Sequence, residues 1–300
     1  MSRKPAKNLE MKVAIYSRGN DQELRNELEE LVTKLTHNKI EVLLHFSLSR
    51  FIRFDNNKLV QFFSGHEELN SSVDFLISLG GDGTILDTVT LVRNKNIPII
   101  GINYGRLGFL ASISKEELSV AVDALINRRY VVDKRALIHL DANVELFGDA
   151  PFGLNEFSIH KRDISPMIKI NTYLNGEFLN TYWCDGLIVA TPTGSTGYNM
   201  SCNGPIVFPE AASFVITPVA PHNLNVRPIV IPDSYILSFE VESRSDEYIC
   251  AMDARREIVH KDVQLAIKKE TFSINLIRLN ENNFLSTLHN KLTWGLDKRN

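Results

Sequence analysis

Through residues 1–135, short apolar runs alternate with apolar positions at helical spacing. Met11–Tyr16 (MKVAIY) is a compact apolar run of the kind that forms a buried strand. Asp21–Thr36 follows, with Leu24, Leu28, Leu31, Val32 and Leu35 on one helical face. Ile40–His45 and Val73–Leu79 read as further strands, Thr84–Arg93 as a helix, Ile97–Ile102 as a strand and Ser114–Asn127 as a helix. Ser114 followed by Glu117 has the spacing of a capping box, in which each residue's side chain bonds the other's backbone N–H. Strand and helix in alternation predict an α/β domain over 1–135, Rossmann-like, with a mainly parallel sheet.

From about Ala136 the pattern changes to period two. Ile138–Leu146, Ile168–Leu174, Glu177–Tyr182, Leu187–Thr191, Ile236–Val241 and Val263–Lys268 are short, β-branched or alternating segments. Turn residues separate them: Phe147-Gly148-Asp149, Asn175-Gly176 and Pro232-Asp233-Ser234. Asn175-Gly176 between two such runs predicts a two-residue hairpin, because both turn positions need positive φ. Residues 136–275 are expected to form a mostly β domain. A helix over Phe284–Leu292, with Phe284, Leu285, Leu288 and Leu292 on one face, lies in a tail of residues 276–300.

The 300 residues are 44% hydrophobic, enough for a sizeable core and for two domains. A net charge of −3 leaves no electrostatic footprint for nucleic acid or for an anionic membrane surface. Arg3, Lys4 and Lys7 precede no apolar h-region, and no apolar run reaches the ~20 residues needed to span a bilayer. Cys184, Cys202 and Cys250 are odd in number and widely spaced, which fits a reducing compartment. A cytoplasmic protein without membrane or nucleic-acid partners is expected. No metal-ligand spacing is present, so the chain itself is expected to hold no metal.

Chemistry concentrates in Leu79-Gly80-Gly81-Asp82-Gly83-Thr84, where a buried strand meets a helix. The glycines let the backbone approach a ligand closely, and the leading N–H groups of the helix attract an anion. A tight turn with an N-cap is the plainer reading of the same residues. Neither G-x-x-x-x-G-K-[ST] nor G-x-G-x-x-G after a strand occurs, so any nucleotide is held by another device. Asp82 carries negative charge and cannot itself bind phosphate, but it could take a proton from a hydroxyl nucleophile.

Further blocks give this turn a context. Gly80–Thr84 resembles the GGDGT motif of the superfamily that joins NAD kinases with diacylglycerol and sphingosine kinases. Gly101-Ile-Asn103-Tyr-Gly105-Arg-Leu-Gly108-Phe109-Leu110 resembles a segment specific to NAD kinases, and Leu154-Asn155-Glu156 resembles their N-E pair. Asp185-Gly-Leu-Ile-Val-Ala-Thr191-Pro-Thr193-Gly-Ser195-Thr196-Gly-Tyr198 is close to their D-G-x-I-x-x-T-P-T-G-S-T-A-Y signature. Thr217–His222, Arg227-Pro228 and the tail to Trp294-Gly295 match further family segments. Three departures stand out: Gly197 for the usual alanine, Asn203 for the first glycine of Gly-Gly-Pro, and Asp253-Ala254-Arg255 for D-G-Q.

The resemblance implies transfer of the ATP γ-phosphate to the 2′-hydroxyl of the adenosine ribose of NAD. It implies Asp82 as general base and Gly80, Gly81, Gly83 and Thr84 around the ATP phosphates. NAD contacts are implied for Asn155, Glu156, Asp185, Thr193, Ser195, Thr196 and Tyr198, and for Ala220 and His222 approaching from a neighbouring subunit. Chemically, a carboxylate suits ribose hydroxyls and an amide suits an adenine edge. Lys161-Arg162 and Arg227 are basic groups that could meet phosphate but equally suit a solvated face. Mg²⁺ is expected to arrive with ATP, the chain to form a homodimer or homotetramer, and the tail to return to the first domain. Two alternatives stay open: a lipid kinase sharing GGDGT, which would need a greasy cleft, and a non-catalytic NAD(P)-binding sensor.

Overall fold

The computed structural model describes residues 11–18, 22–50, 57–105, 108–162, 166–279 and 283–293. Arg3, Lys4, Lys7, Asp21, Arg106, Leu107, Trp294 and Gly295 lie outside the described residues. The chain divides into two compact units, one of residues 1–133 with 275–300 and one of residues 134–274.

The first unit runs β1 (Lys12–Ser17), α1 (Gln22–His37), β2 (Glu41–His45), β3 (Val60–Phe63), β4 (Phe75–Leu79), α2 (Asp82–Val92), β5 (Ile99–Asn103), β6 (Ile113–Ser114) and α3 (Leu118–Ile126). Its strands pair in the order β5-β4-β1-β2-β3, every pairing parallel. Strands β4 and β5 are buried at every position, as expected of a sheet covered on both faces. Leu24, Leu28, Leu31, Val32 and Leu35 of α1 all enter the core with Val13, Ile15, Val42 and Leu44. At Ser114 the capping box forms, but a short 3₁₀ turn, Lys115–Glu117, precedes the α-helix. Strand β3 escaped the hydrophobic pattern because Gln61 and Phe62 face outward.

The second unit contains β7 (Val131–Ala142), β8 (Phe152–Gly153), β9 (Glu156–Lys161), β10 (Ile168–Leu174), β11 (Glu177–Cys184), β12 (Gly186–Ala190), a single turn α4 (Tyr198–Ser201), β13 (Ser213–Val219), β14 (Ile229–Pro232), β15 (Leu237–Glu242), β16 (Glu247–Met252), β17 (Arg255–His260) and β18 (Leu265–Arg278). Strands β14-β13-β12-β9-β16-β17 form one antiparallel sheet, and β11-β10-β15-β18 run antiparallel in another. Phe157, Ile159, Leu187, Val189, Phe214 and Tyr248 of the first meet Ile168, Ile170, Phe239, Val241 and Ile267 of the second in one core. Asn175 and Gly176, at φ 49° and 85°, make the expected tight hairpin between β10 and β11.

Several boundaries differ from the sequence reading. Strand β7 begins seven residues earlier than Ile138 and ends at Ala142, and Leu146 is buried just before a turn instead. Strand β18 continues past Lys268 through the charged run Lys268-Lys269-Glu270, whose alternation with half-buried residues hides it from a search for apolar runs. Its end returns to the first unit, where Leu276 pairs in parallel with Ile99, and Ile277 and Leu279 join the core. Helix α5 (Phe284–Leu292) is capped by Asn283, which accepts from Ser286 N–H, and Lys291 lies over the Phe109 ring at 5.9 Å. No helix among the described residues is long and apolar enough to cross a membrane.

Candidate functional site

The glycine turn sits at the carboxyl end of β4, the edge of a parallel sheet where ligands commonly bind. Gly80 has φ 144°, and a Cβ there would lie 2.4 Å from the Thr84 hydroxyl, so no other residue fits. Gly81 is the N-cap of α2 and contributes no side-chain cap, while Asp82 is the first helical residue. Thr84 is buried and backs onto Gly80. Arg18, ion-paired to Asp87, brings its guanidinium beside Gly83, 3.2 Å from where a Cβ would stand. A cation beside a helix N-terminus gains nothing from the dipole, yet it adds to the positive field that an anion would meet.

Three backbone donors hold the Asp82 carboxylate. Phe109 N–H donates to Oδ2 at 2.9 Å, and Leu110 and Ala111 N–H donate to Oδ1 at 3.0 Å each. A carboxylate offers about four acceptor positions, so one remains, on Oδ2. Gly108 makes the arrangement possible, since a Cβ there would stand 1.8 Å from Oδ1. Sequence reading noticed Gly108-Phe109-Leu110 only as a family block. The role of these residues lies in their main chain, and a backbone donor has no residue-type signature.

In the second unit, Asn155 and Glu156 stand where β9 begins. Asn155 Oδ1 and Glu156 Oε2 are buried and meet no hydrogen-bond partner among the described residues. Burial pushes the Glu156 carboxyl up to about 8, with the charge of Asp253 adding to the shift. The group is therefore mostly protonated at neutral pH, able to donate one hydrogen bond and accept another, which alters the purely accepting role read from sequence.

The Thr191–Tyr198 turn is fastened to this pair through the main chain. Thr191 N–H donates to Asn155 C=O at 2.8 Å and its hydroxyl to Leu154 C=O at 2.6 Å. Gly194 packs on the same peptide, with Asn155 C=O 2.1 Å from where a Cβ would stand. Gly197 faces the side chains: a Cβ would lie 3.2 Å from Glu156 Oε2 and 3.7 Å from Asn155 Nδ2. Tyr198 is two-fifths exposed and stacks obliquely on His160 at 5.7 Å.

The hydroxyls of the turn are largely engaged by partners in the same unit. Ser195 Oγ accepts from Val207 N–H and donates to Val207 C=O, Thr196 donates to Thr193 C=O, and Thr193 Oγ1 accepts from Arg135. Buried Asn199 donates to Ser195 C=O and Pro205 C=O and accepts from Thr217. Asn203 takes φ 61°, so the amide residue supplies the left-handed conformation that a glycine would otherwise provide. Asp185 is ion-paired with Lys161 at 2.7 Å, and Arg162 pairs with Glu247. Ala220 has φ 45°, and His222 is exposed, its ring 6.1 Å from Trp183. Arg227 binds the carbonyls of Leu224 and Val226 in its own loop. Cys184 is fully buried, and burial raises its thiol to about 12, so it is inert.

Comparison with known proteins gives both halves one family. Residues 13–130 match the model of the ATP-NAD kinase N-terminal domain, and residues 154–279 that of the ATP-NAD kinase C-terminal domain. An NAD kinase from Cytophaga hutchinsonii is 46% identical over 275 residues, covering 91% of this chain and 94% of its own length. One from Flavobacterium psychrophilum is 45% identical over 295 residues, covering 97% of this chain and its whole length. Among solved structures, an NAD kinase from Archaeoglobus fulgidus in complex with ATP superposes with TM-score 0.73 at 26% identity, covering 94% of this chain and 99% of its own. Yeast NADH kinase complexed with NADH superposes with TM-score 0.86 at 20% identity, covering 98% and 90%, a likeness of fold. The chain belongs to the ATP-NAD kinase family.

Proposed function

We propose that the chain transfers the γ-phosphate of ATP to the 2′-hydroxyl of the adenosine ribose of NAD, with Asp82 as general base. The observation that carries the reading is the Asp82 carboxylate, held by three backbone N–H groups with one acceptor position open on Oδ2. The ribose 2′-oxygen attacks the γ-phosphorus, its proton passes to Asp82, the new O–P bond forms, and the bond to the β-phosphate oxygen breaks to release ADP. Backbone N–H groups at the start of α2, with Arg18 beside Gly83, meet the phosphate charge. Mg²⁺ enters with ATP as part of the substrate and neutralises charge on the phosphates.

Recognition of NAD falls to the second unit. Glu156, with a proton to give and an oxygen to accept, binds ribose hydroxyls, and the Asn155 amide binds the adenine edge. Their buried oxygens without partners among the described residues support this assignment, because a buried polar atom is normally hydrogen-bonded. Tyr198 offers an exposed ring beside them for stacking, and Asp185 lies toward the nicotinamide end. Ser195 and Thr196 act by shaping the turn, since their hydroxyl protons already go to Val207 and Thr193 C=O, while the Thr193 hydroxyl, which accepts from Arg135, keeps its proton to offer NAD. Ala220 and His222 serve a neighbouring copy in a homodimer or homotetramer working in the cytoplasm.

The test is to incubate the purified chain with NAD, ATP and Mg²⁺ and to assay the product with an NADP-specific dehydrogenase. NADP formation is expected. NAD binding without NADP would favour a dinucleotide sensor, and no NAD binding would turn attention to lipid acceptors.

A further inference from the structure

Strands β16 and β17 are joined by Asp253-Ala254, part of the stretch where this chain carries Asp-Ala-Arg in place of Asp-Gly-Gln. Asp253 takes φ 52°, and its carboxylate turns back onto the Leu154–Glu156 main chain. Oδ2 accepts from Leu154 N–H at 2.8 Å, and Oδ1 accepts from Asn155 N–H at 2.8 Å and Glu156 N–H at 3.1 Å. In return Asp253 N–H donates to Glu156 C=O at 2.9 Å. Gly153 leaves the room, since a Cβ there would lie 2.9 Å from Asp253 Oδ1.

Arg255 completes the attachment two residues on. One guanidinium nitrogen donates to Ala150 C=O at 2.5 Å, another to Phe152 C=O, and the group lies over the Phe147 ring at 5.6 Å. The planar fork spans two carbonyls of the segment leading into Leu154-Asn155-Glu156. A glutamine amide has fewer donors and a shorter reach, and a lysine ammonium is a point charge.

We propose that Asp253 and Arg255 are positioning residues for NAD binding, fixing the Asn155-Glu156 pair through its own main chain and through the 150–152 segment before it. The proposal rests on the reading of that pair as the NAD contact. Its geometry repeats that of Asp82, where a carboxylate likewise gathers three consecutive backbone N–H groups. Asp253, though, points its oxygens at the peptide bearing the binding side chains, so its effect on substrate passes through them. Among the described residues, the titratable groups facing Glu156 are Asp253, from the β16–β17 turn, and Tyr198, from α4. Because the Asp253 charge helps to hold the proton on Glu156, removing that charge has an electrostatic consequence that lost packing would not have.

The experiment measures kcat/KM for NAD across roughly pH 6 to 9 with saturating MgATP, on the full chain and on Asp253→Asn, Arg255→Lys, Arg255→Gln and Glu156→Ala. Asp253→Asn is expected to raise KM for NAD about tenfold with KM for ATP little changed, and to move the ionisation that wild type shows toward lower pH. Arg255→Lys, which keeps a positive charge near the Asp253 carboxylate, is expected to raise KM for NAD severalfold without moving that ionisation, and Arg255→Gln to raise KM for NAD at least as much. Folded Asp253→Asn and Arg255 variants with wild-type KM for NAD would overturn the proposal. If Asp253→Asn does not fold, the Arg255 variants decide, and unchanged KM for NAD in both overturns it. Should Glu156→Ala leave KM for NAD untouched, the fault lies in the reading of the Asn155-Glu156 pair instead.

Discussion

Gly108 and Asp82 are so close that a methyl group on the first would stand 1.8 Å from Oδ1 of the second. The 27-residue separation between Asp82 and Phe109 is closed by the parallel pairing of β4 with β5, which brings the loop after β5 over the start of α2. A Gly108→Ala substitution has to displace either the carboxylate or the Phe109–Ala111 donors. The expected result is a folded protein whose kcat falls at least about a hundredfold, the scale of losing a positioned proton acceptor. Circular dichroism with initial rates of NADP formation checks this, and wild-type kcat in Gly108→Ala would refute the arrangement.

Arg18 is the cation beside the glycine turn, and Asp87, one turn further along α2, holds it. Arg18→Ala is expected to raise KM for ATP about tenfold while KM for NAD stays within about twofold, because Arg18 is proposed to meet the ATP phosphates. Equal increases in both constants would assign Arg18 to the fold of the turn.

Two glycines of one turn give opposite expectations. At Gly194 a Cβ would meet the Asn155 carbonyl at 2.1 Å, a backbone atom that cannot step aside, so Gly194→Ala is expected to destabilise the protein by roughly 2 kcal/mol or more. At Gly197 the neighbours are Glu156 Oε2 and Gly194 C=O, both at 3.2 Å, and the carboxyl can rotate. Gly197→Ala is therefore expected to keep its fold and kcat, with KM for NAD changed no more than about threefold. Thermal melts and steady-state kinetics on the two variants separate these outcomes.

Glu156 makes stability fall as pH rises. Its carboxyl ionises near 4.5 when unfolded and near 8 when folded, so between those values the folded state binds more protons than the unfolded one. The penalty is absent at low pH, grows as pH rises through that window and is complete above about 8. Glu156→Gln removes the ionisation, and its Tm advantage over wild type should widen across the same window. A constant difference at every pH would show that Glu156 carries no raised ionisation.

Much of the fold was legible because burial leaves a periodic trace. The α1 stripe of Leu24, Leu28, Leu31, Val32 and Leu35 is buried as its spacing implies, and Ile168–Leu174 and Phe284–Leu292 have the boundaries read from sequence. Strands β13 and β14 were missed because Ser213–Val219 is buried nearly throughout and shows no alternation, while Ile229–Pro232 is short and ends in proline. Asp82 was legible as the one acid among glycines. What holds it was not, because Phe109–Ala111 act through N–H groups that every residue but proline possesses. Asp253 was hidden differently: it lies 98 residues from Asn155 in sequence and 2.8 Å away in space.

The most direct measurement is the single-turnover rate of NADP formation by wild type and Asp82→Asn, with NAD and MgATP saturating. Asparagine keeps the size of the side chain and its oxygen can still accept from Leu110 and Ala111 N–H, but its NH2 group accepts neither from Phe109 N–H nor from the ribose 2′-hydroxyl. A fall of about a hundredfold or more, with NAD and ATP binding retained, is the predicted result. Asp82→Asn turning over at the wild-type rate would contradict the account.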